Sequence, residues 1–193
     1  KLEGNVTYEA ELDITPKRAD RSVNIYGQLG YNIISISGPS VAIGADINHH
    51  IVEFSVVYGL NKTDDWYFYD NDGNVLAANH YQPFRFGLRY CYDIEVSESF
   101  RMVPQAGIAF NVLNGTSVSN TSGSSYKKAN SVSAMVGVRL AVGLSKNVKL
   151  QITPEYDFGV SKSDVCKLVS DNDNTFKSWT DGFNLNVGLM IYF

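Results

Sequence analysis

No apolar run in these 193 residues approaches eighteen, so no helix formed by this chain could cross a bilayer. Charge of one sign is just as scarce. The net charge is -4, the signs are mixed, and no Lys/Arg-rich run exists, which argues against nucleic acid as a partner. Only two cysteines occur, Cys91 and Cys166, with no metal-ligand spacing. One falls in a strand-like segment and the other in a loop-like one, so a disulfide is not favoured. The three histidines, His49, His50 and His80, lack the further ligands a metal would need. No metal and no cofactor is expected. No leader peptide stands at Lys1, so an exported chain would be present here in its processed form.

What is abundant is alternation. From about Ser22 to the end the chain repeats with period two, the pattern of β-strands and not of helices. Val23, Ile25, Leu29, Tyr31 and Ile33 oppose Asn24, Gln28, Gly30 and Asn32. After a turn at Ser37-Gly38-Pro39-Ser40, Val41, Ile43, Ala45 and Ile47 oppose Gly44 and Asp46. Past Asn48-His49-His50 the parity flips, and Val52, Phe54, Val56 and Tyr58 oppose Glu53 and Ser55. Segments 84–96, 100–112, 132–144, 148–160 and 183–193 alternate in the same way. The chain is read as one domain, residues 1–193.

The parity flip needs either a tight turn or a bulge, and eight strands follow from both. With a turn, residues 1–21 are an extension before the first strand. With a bulge, 41–60 is one long strand and the first strand lies near Val6, Tyr8, Ala10 and Leu12, which also alternate. That second alternation favours the bulge. Short turns near 97–99 and 145–147 contrast with long polar stretches at 61–80, 114–130 and 161–181. Structureless loops of that length are unusual in a compact soluble domain and expected of a membrane barrel.

Glycine indicates which face is inside. Gly30, Gly44, Gly59, Gly87, Gly107, Gly137, Gly143, Gly159 and Gly188 lie on the polar parity, with Gly27 the exception. On a solvated face they would weaken strands without packing gain; inside a narrow barrel, small residues make room for large neighbours. The apolar face therefore meets lipid, and the lumen receives Asp46, Glu53, Arg85, Arg89, Asp93, Arg101, Arg139, Lys149, Glu155 and Asp157. Such charges must be paired or hydrogen-bonded. An interlocked ionic plug is the expected arrangement, because eight strands leave room for side chains and little else. A solute path opened by rearranging the pairs is the alternative.

The loops hold two further groups. His80, Asp70 and Asp72 share one loop, but no serine stands beside them in a recognisable motif, so no enzyme is expected. Trp66, Tyr67, Phe68, Tyr69 and Trp179 form either an interfacial girdle or a contact surface for a protein or glycan. Asn61-Lys62-Thr63, Asn114-Gly115-Thr116 and Asn120-Thr121-Ser122 match a glycosylation pattern that arises easily in such loops.

The most specific element is the end of the chain. From Phe183 the odd positions run Phe, Leu, Val, Leu, Ile, Phe, against Asn184, Asn186, Gly188, Met190 and Tyr192. Asn186, Gly188, Ile191 and Phe193 resemble the C-terminal assembly signal of bacterial outer-membrane β-barrels. The region from Ser22 onward resembles the small eight-stranded barrels of the OmpA/OmpX type, with a loop style like that of Bacteroidota. The resemblance implies an all-β, antiparallel up-and-down transmembrane barrel with a polar, side-chain-filled lumen, in the outer membrane after signal-peptide removal. It implies outer-membrane lipid and the assembly machinery as partners. The expected role is a non-enzymatic surface-contact protein or accessory subunit acting through its loops, with other outer-membrane proteins, extracellular proteins or glycans as candidate partners. A narrow channel, a rim enzyme and a soluble lipocalin-like ligand-binding barrel are the alternatives.

Overall fold

The stretches that alternate from residue 23 onward form strands, and the strands close on themselves. The computed structural model describes residues 23–69, 71–117 and 129–193. In chain order come β1 (Val23–Ile34), β2 (Gly38–Ile47), β3 (His50–Tyr58), β4 (Trp66–Tyr69), β5 (Val75–Tyr92), β6 (Ile94–Glu95), β7 (Phe100–Ser117), β8 (Ala129–Gly143), β9 (Val148–Lys162), helices α1 (Asp164–Asn172) and α2 (Asn174–Thr180), and β10 (Gly182–Tyr192). All ladders are antiparallel. Eight long strands pair in the cycle β1-β2-β3-β5-β7-β8-β9-β10 and back to β1, which makes a closed up-and-down barrel. β4 and β6 are short extensions of the wall.

The parity flip is a two-residue turn, which corrects the bulge favoured from sequence. Ile47 pairs with His50, and Asn48 and His49 take φ of 53° and 73°, as a type I′ hairpin turn requires. Paired residues face the same side, so skipping two positions inverts the parity. The Asp46 side chain accepts the His49 N–H and steadies the turn. Residues 41–60 thus hold two strands of the barrel, and the first described strand is Val23–Ile34. The segment around Val6 to Leu12 lies outside the described residues.

Two prolines interrupt the wall. The β8–β9 ladder lapses between Gly137↔Glu155 and Leu140↔Ile152, where Pro154 has no N–H to give Val138. The β5–β7 pairing stops at Cys91↔Gln105 and resumes through β6 at Ile94↔Met102, on either side of Pro104.

The wall faces outward with Leu29, Ile43, Val52, Leu88, Ile108, Val136 and Ile152 exposed. An apolar surface that encircles the molecule is unsuited to water. From Val23 to Ile33, β1 rises about 33 Å at about 3.3 Å per residue. That is about 25 Å along the axis at a tilt of about 40°, close to the apolar band of such barrels. Outward aromatics gather toward both ends. His50 Nδ1 meets the Tyr90 hydroxyl at 2.5 Å near the short turns, and Tyr58 packs on Phe84 near the long loops at 6.0 Å between centroids. The long stretch at 161–181 is not structureless, as the sequence reading had it: α1 and α2 occupy it.

Candidate functional site

Inward-facing residues build the site, and alternation places them. Six of the ten expected lumen charges join into one chain of alternating sign. Asp157 Oδ1 lies 2.7 Å from Arg85 Nη2, which is 2.6 Å from Glu155 Oε1. Glu155 Oε2 lies 2.7 Å from Arg89 Nε, and Arg89 Nη1 lies 3.3 Å from Glu53 Oε1. Glu53 Oε2 ends the chain, 2.5 Å from Arg139 Nη2. All six are buried. Three carboxylates face three arginines, so this group is neutral, as removal of so many charges from water demands.

Neutral groups add further bonds to Glu53, Glu155 and Arg89. Tyr26 donates its hydroxyl proton to Glu53 Oε2 at 2.6 Å, Gln105 donates to Glu155 Oε2 at 2.9 Å, and Arg89 reaches the Ser55 hydroxyl. Sequence reading missed Tyr26 and Gln105. A Cβ at Gly44 would collide with the Tyr26 ring, so that glycine makes room for it. Beside the charges lies a cavity of only about 20 Å³, lined by Gln28, Asn32, Glu53, Arg139 and Thr153 among others.

Apolar layers close this chamber at both ends. Toward the short turns, Tyr26, Ile51, Cys91, Val103 and Met190 form an inner seal. Beyond it sits a second charge group holding the other four expected residues. Arg101 pairs with Asp93 and lies 3.7 Å from Glu95, Asp46 serves its turn, and Lys149 Nζ stands 4.5 Å from the Tyr192 ring centroid.

Toward the long loops, α1 and α2 cap the barrel mouth. Cys166 and Val169 of α1 and Phe176 and Trp179 of α2 are buried against Ile36, Val57, Tyr81 and Leu113 of the barrel mouth. Ser163 caps α1 by accepting the Cys166 N–H at 3.3 Å, and Asp173 caps α2 by accepting the Phe176 N–H at 3.0 Å. Ser133 Oγ donates to Thr180 O at 2.8 Å and Ser35 Oγ to Ser178 O at 2.5 Å, which tie the cap to β8 and to the β1–β2 turn. Burial pushes the Cys166 thiol up to about 11. The signal for these helices was present in the three-residue spacings Cys166–Val169 and Phe176–Trp179 behind Ser163 and Asp173.

The expected contact aromatics separate. Trp179 is fully buried inside the cap and offers no contact surface, which corrects its assignment. Trp66 and Phe68 pack on the cap from β4, while Tyr67 and Tyr69 point away and are 49% and 58% exposed. Asn61 is spent on structure, donating to Ser35 O at 2.7 Å and accepting the Ser37 N–H at 3.1 Å. Asn114 pairs with Gln82 within the β5–β7 ladder. Asn120 and Asp70 lie outside the described residues. His80 Nδ1 lies 3.7 Å from Asp65 Oδ1. Among the described residues no three His, Cys, Asp or Glu side chains gather as a metal would need.

In the terminal strand, Asn186 and Gly188 face the lumen and Ile191 faces out, pairing with Gly27. Phe193 is 84% exposed, with its N–H on Ile25 O at 3.0 Å.

No protein-family model matches the chain. No curated protein matches it either. Solved structures do. The chain is similar to a major outer membrane protein from Thermus thermophilus, with a TM-score of 0.61 and 17% identity over 89% of this chain and 100% of that one. It is similar to the Neisserial surface protein A, with a TM-score of 0.52 and 13% identity over 89% of this chain and 96% of that one. It is also similar to Ail, the attachment invasion locus protein of Yersinia pestis, in complex with the heparin analogue sucrose octasulfate. There the TM-score is 0.51 and the identity 11%, over 89% of this chain and 99% of that one. At these identities the likeness is one of fold: an eight-stranded antiparallel transmembrane barrel.

Proposed function

We propose that this protein is a non-enzymatic integral barrel of the bacterial outer membrane that acts through its loop end, as a surface-contact protein or an accessory subunit of an outer-membrane complex. The observation that carries the reading is the double closure of the lumen. A neutral ionic chain with about 20 Å³ of space beside it lies between two apolar layers. Apolar constrictions oppose ion passage, so the interior is built as a support and not as a path. What remains accessible is the loop end, where Tyr67 and Tyr69 stand exposed on a strand held to the cap by Trp66 and Phe68.

Ail was solved with a sulfated-glycan analogue, but a polyanion suits this loop end poorly. Stretches 61–80, 114–130 and 161–181 carry eight aspartates against six lysines. A protein partner offering apolar or basic groups to the tyrosines fits better.

Photo-cross-linking in intact outer membranes tests this. A benzophenone amino acid at position 67 or 69 should give a discrete protein adduct, and the same group at lipid-facing Phe54 should not. Stepwise ion currents from the purified protein in planar bilayers, with no adduct from either loop position, would favour the narrow channel instead.

A further inference from the structure

One wall of the chamber carries no charge, and its amides form a directed relay. The Asp157 carboxylate accepts from Asn184 Nδ2 at 3.0 Å. That leaves Asn184 Oδ1 to accept from Asn32 Nδ2 at 3.2 Å. Asn32 Oδ1 then accepts from Asn186 Nδ2 at 3.3 Å, and Asn186 Oδ1 from Gln28 Nε2 at 3.0 Å. A carboxylate paired with arginine can only accept, so Asp157 fixes the direction of every amide that follows. The relay ends on Gln28 Oε1, an acceptor with no partner among the described residues. Thr153 Oγ1 is likewise without a partner among them. Both residues are more than nine-tenths buried, and both line the cavity of about 20 Å³.

We propose that this cavity is a binding site for a single resident water, held by Gln28 Oε1 and Thr153 Oγ1. Three requirements select that occupant. It must donate a hydrogen bond, because Gln28 presents only an acceptor, and this excludes an anion. It must be about the size of one water, since about 10–15 Å³ is the least such a molecule needs and little is left for a larger solute. It must be neutral, because the ionic chain beside it already balances and a cation would add an uncompensated buried charge. Apolar layers lie toward both ends of the chamber, which fits a water that is part of the fold and not a segment of a conducting column.

Crystal structures of the detergent-solubilised wild type, Thr153→Val and Thr153→Ser, refined to about 2 Å or better, decide the matter. A density peak within hydrogen-bond distance of Gln28 Oε1 and Thr153 Oγ1 is expected in the wild type, retained in Thr153→Ser and lost in Thr153→Val. No peak in the wild type, or one unchanged in Thr153→Val, would overturn the site. An anomalous peak there after a thallium(I) soak would identify a cation and overturn the neutral occupant. Should Thr153→Val fail to fold, the wild-type map, Thr153→Ser and the soak still decide.

Discussion

The chamber and the cap block the same passage with opposite chemistry. In the chamber, charges from β3, β5, β8 and β9 hold one another, and most members bond to two others. Each charge pairs with a strand other than its own, so the network and the wall stand or fall together. In the cap, α1 and α2 bury apolar side chains without directional demands, and few hydrogen bonds tie them to the barrel. A plug made of wall residues fails with the barrel, whereas a plug carried on a loop can open alone. The chamber should therefore report global stability, and the cap local opening.

The largest effect is expected from Glu53→Gln. It keeps the volume but strips Arg139 of its carboxylate and Arg89 of one of its two. Removing one partner of a buried pair costs about 3–5 kcal/mol. Urea titration in micelles, followed by the gel shift between folded and boiled bands, should show a lower midpoint for the whole barrel. Trp179→Ala removes a fully buried side chain of comparable worth, about 3 kcal/mol. Its loss should instead appear as protease cleavage within 163–181 while the barrel's midpoint stays near that of the wild type. A matching fall in midpoint for both variants would break the distinction between chamber and cap.

The two regions also differ in how far the sequence revealed them. Arg85, Arg89, Arg139, Glu155 and Asp157 sit on the inward parity of clean strands, so their common face was readable. Their pairing was not, because Arg85 meets Glu155 and Asp157 across 70 and 72 residues, a distance only barrel closure sets. The inner seal was hidden for another reason. Ile51 shares the parity of Glu53, and an apolar residue on a polar face reads as noise until its neighbours Cys91, Val103 and Met190 converge on it. The cap was concealed by composition, with six apolar positions scattered through a Ser, Asp and Asn-rich stretch. At Asn48-His49 the sequence pointed the wrong way, since the alternation of Val6, Tyr8, Ala10 and Leu12 favoured a bulge, whereas Asn48 and His49 take the positive φ of a two-residue hairpin turn.

The smallest effect is the sharpest probe, because each region contains one cysteine. Cys91 lies in the inner seal and Cys166 in the cap, both fully buried. With its thiol pushed up to about 11, Cys166 is thiolate in only about one molecule in a thousand at pH 8. For an unperturbed thiol of pKa about 8.5 the fraction is about a quarter, so charge alone slows alkylation about 200-fold while the cap is shut. Labelling of Cys166 thus measures cap opening. Above about pH 8.5 the opened cap releases this proton and the closed cap keeps it, so closure weakens as pH rises toward about 11. Trp179→Ala should speed maleimide labelling of Cys166 and leave Cys91 silent, whereas Glu53→Gln should speed both together. Mass spectrometry of the two cysteine peptides at low urea reads the ratio. If Cys91 labels as fast as Cys166 in Trp179→Ala, the cap is not an independent unit and the two plugs are one.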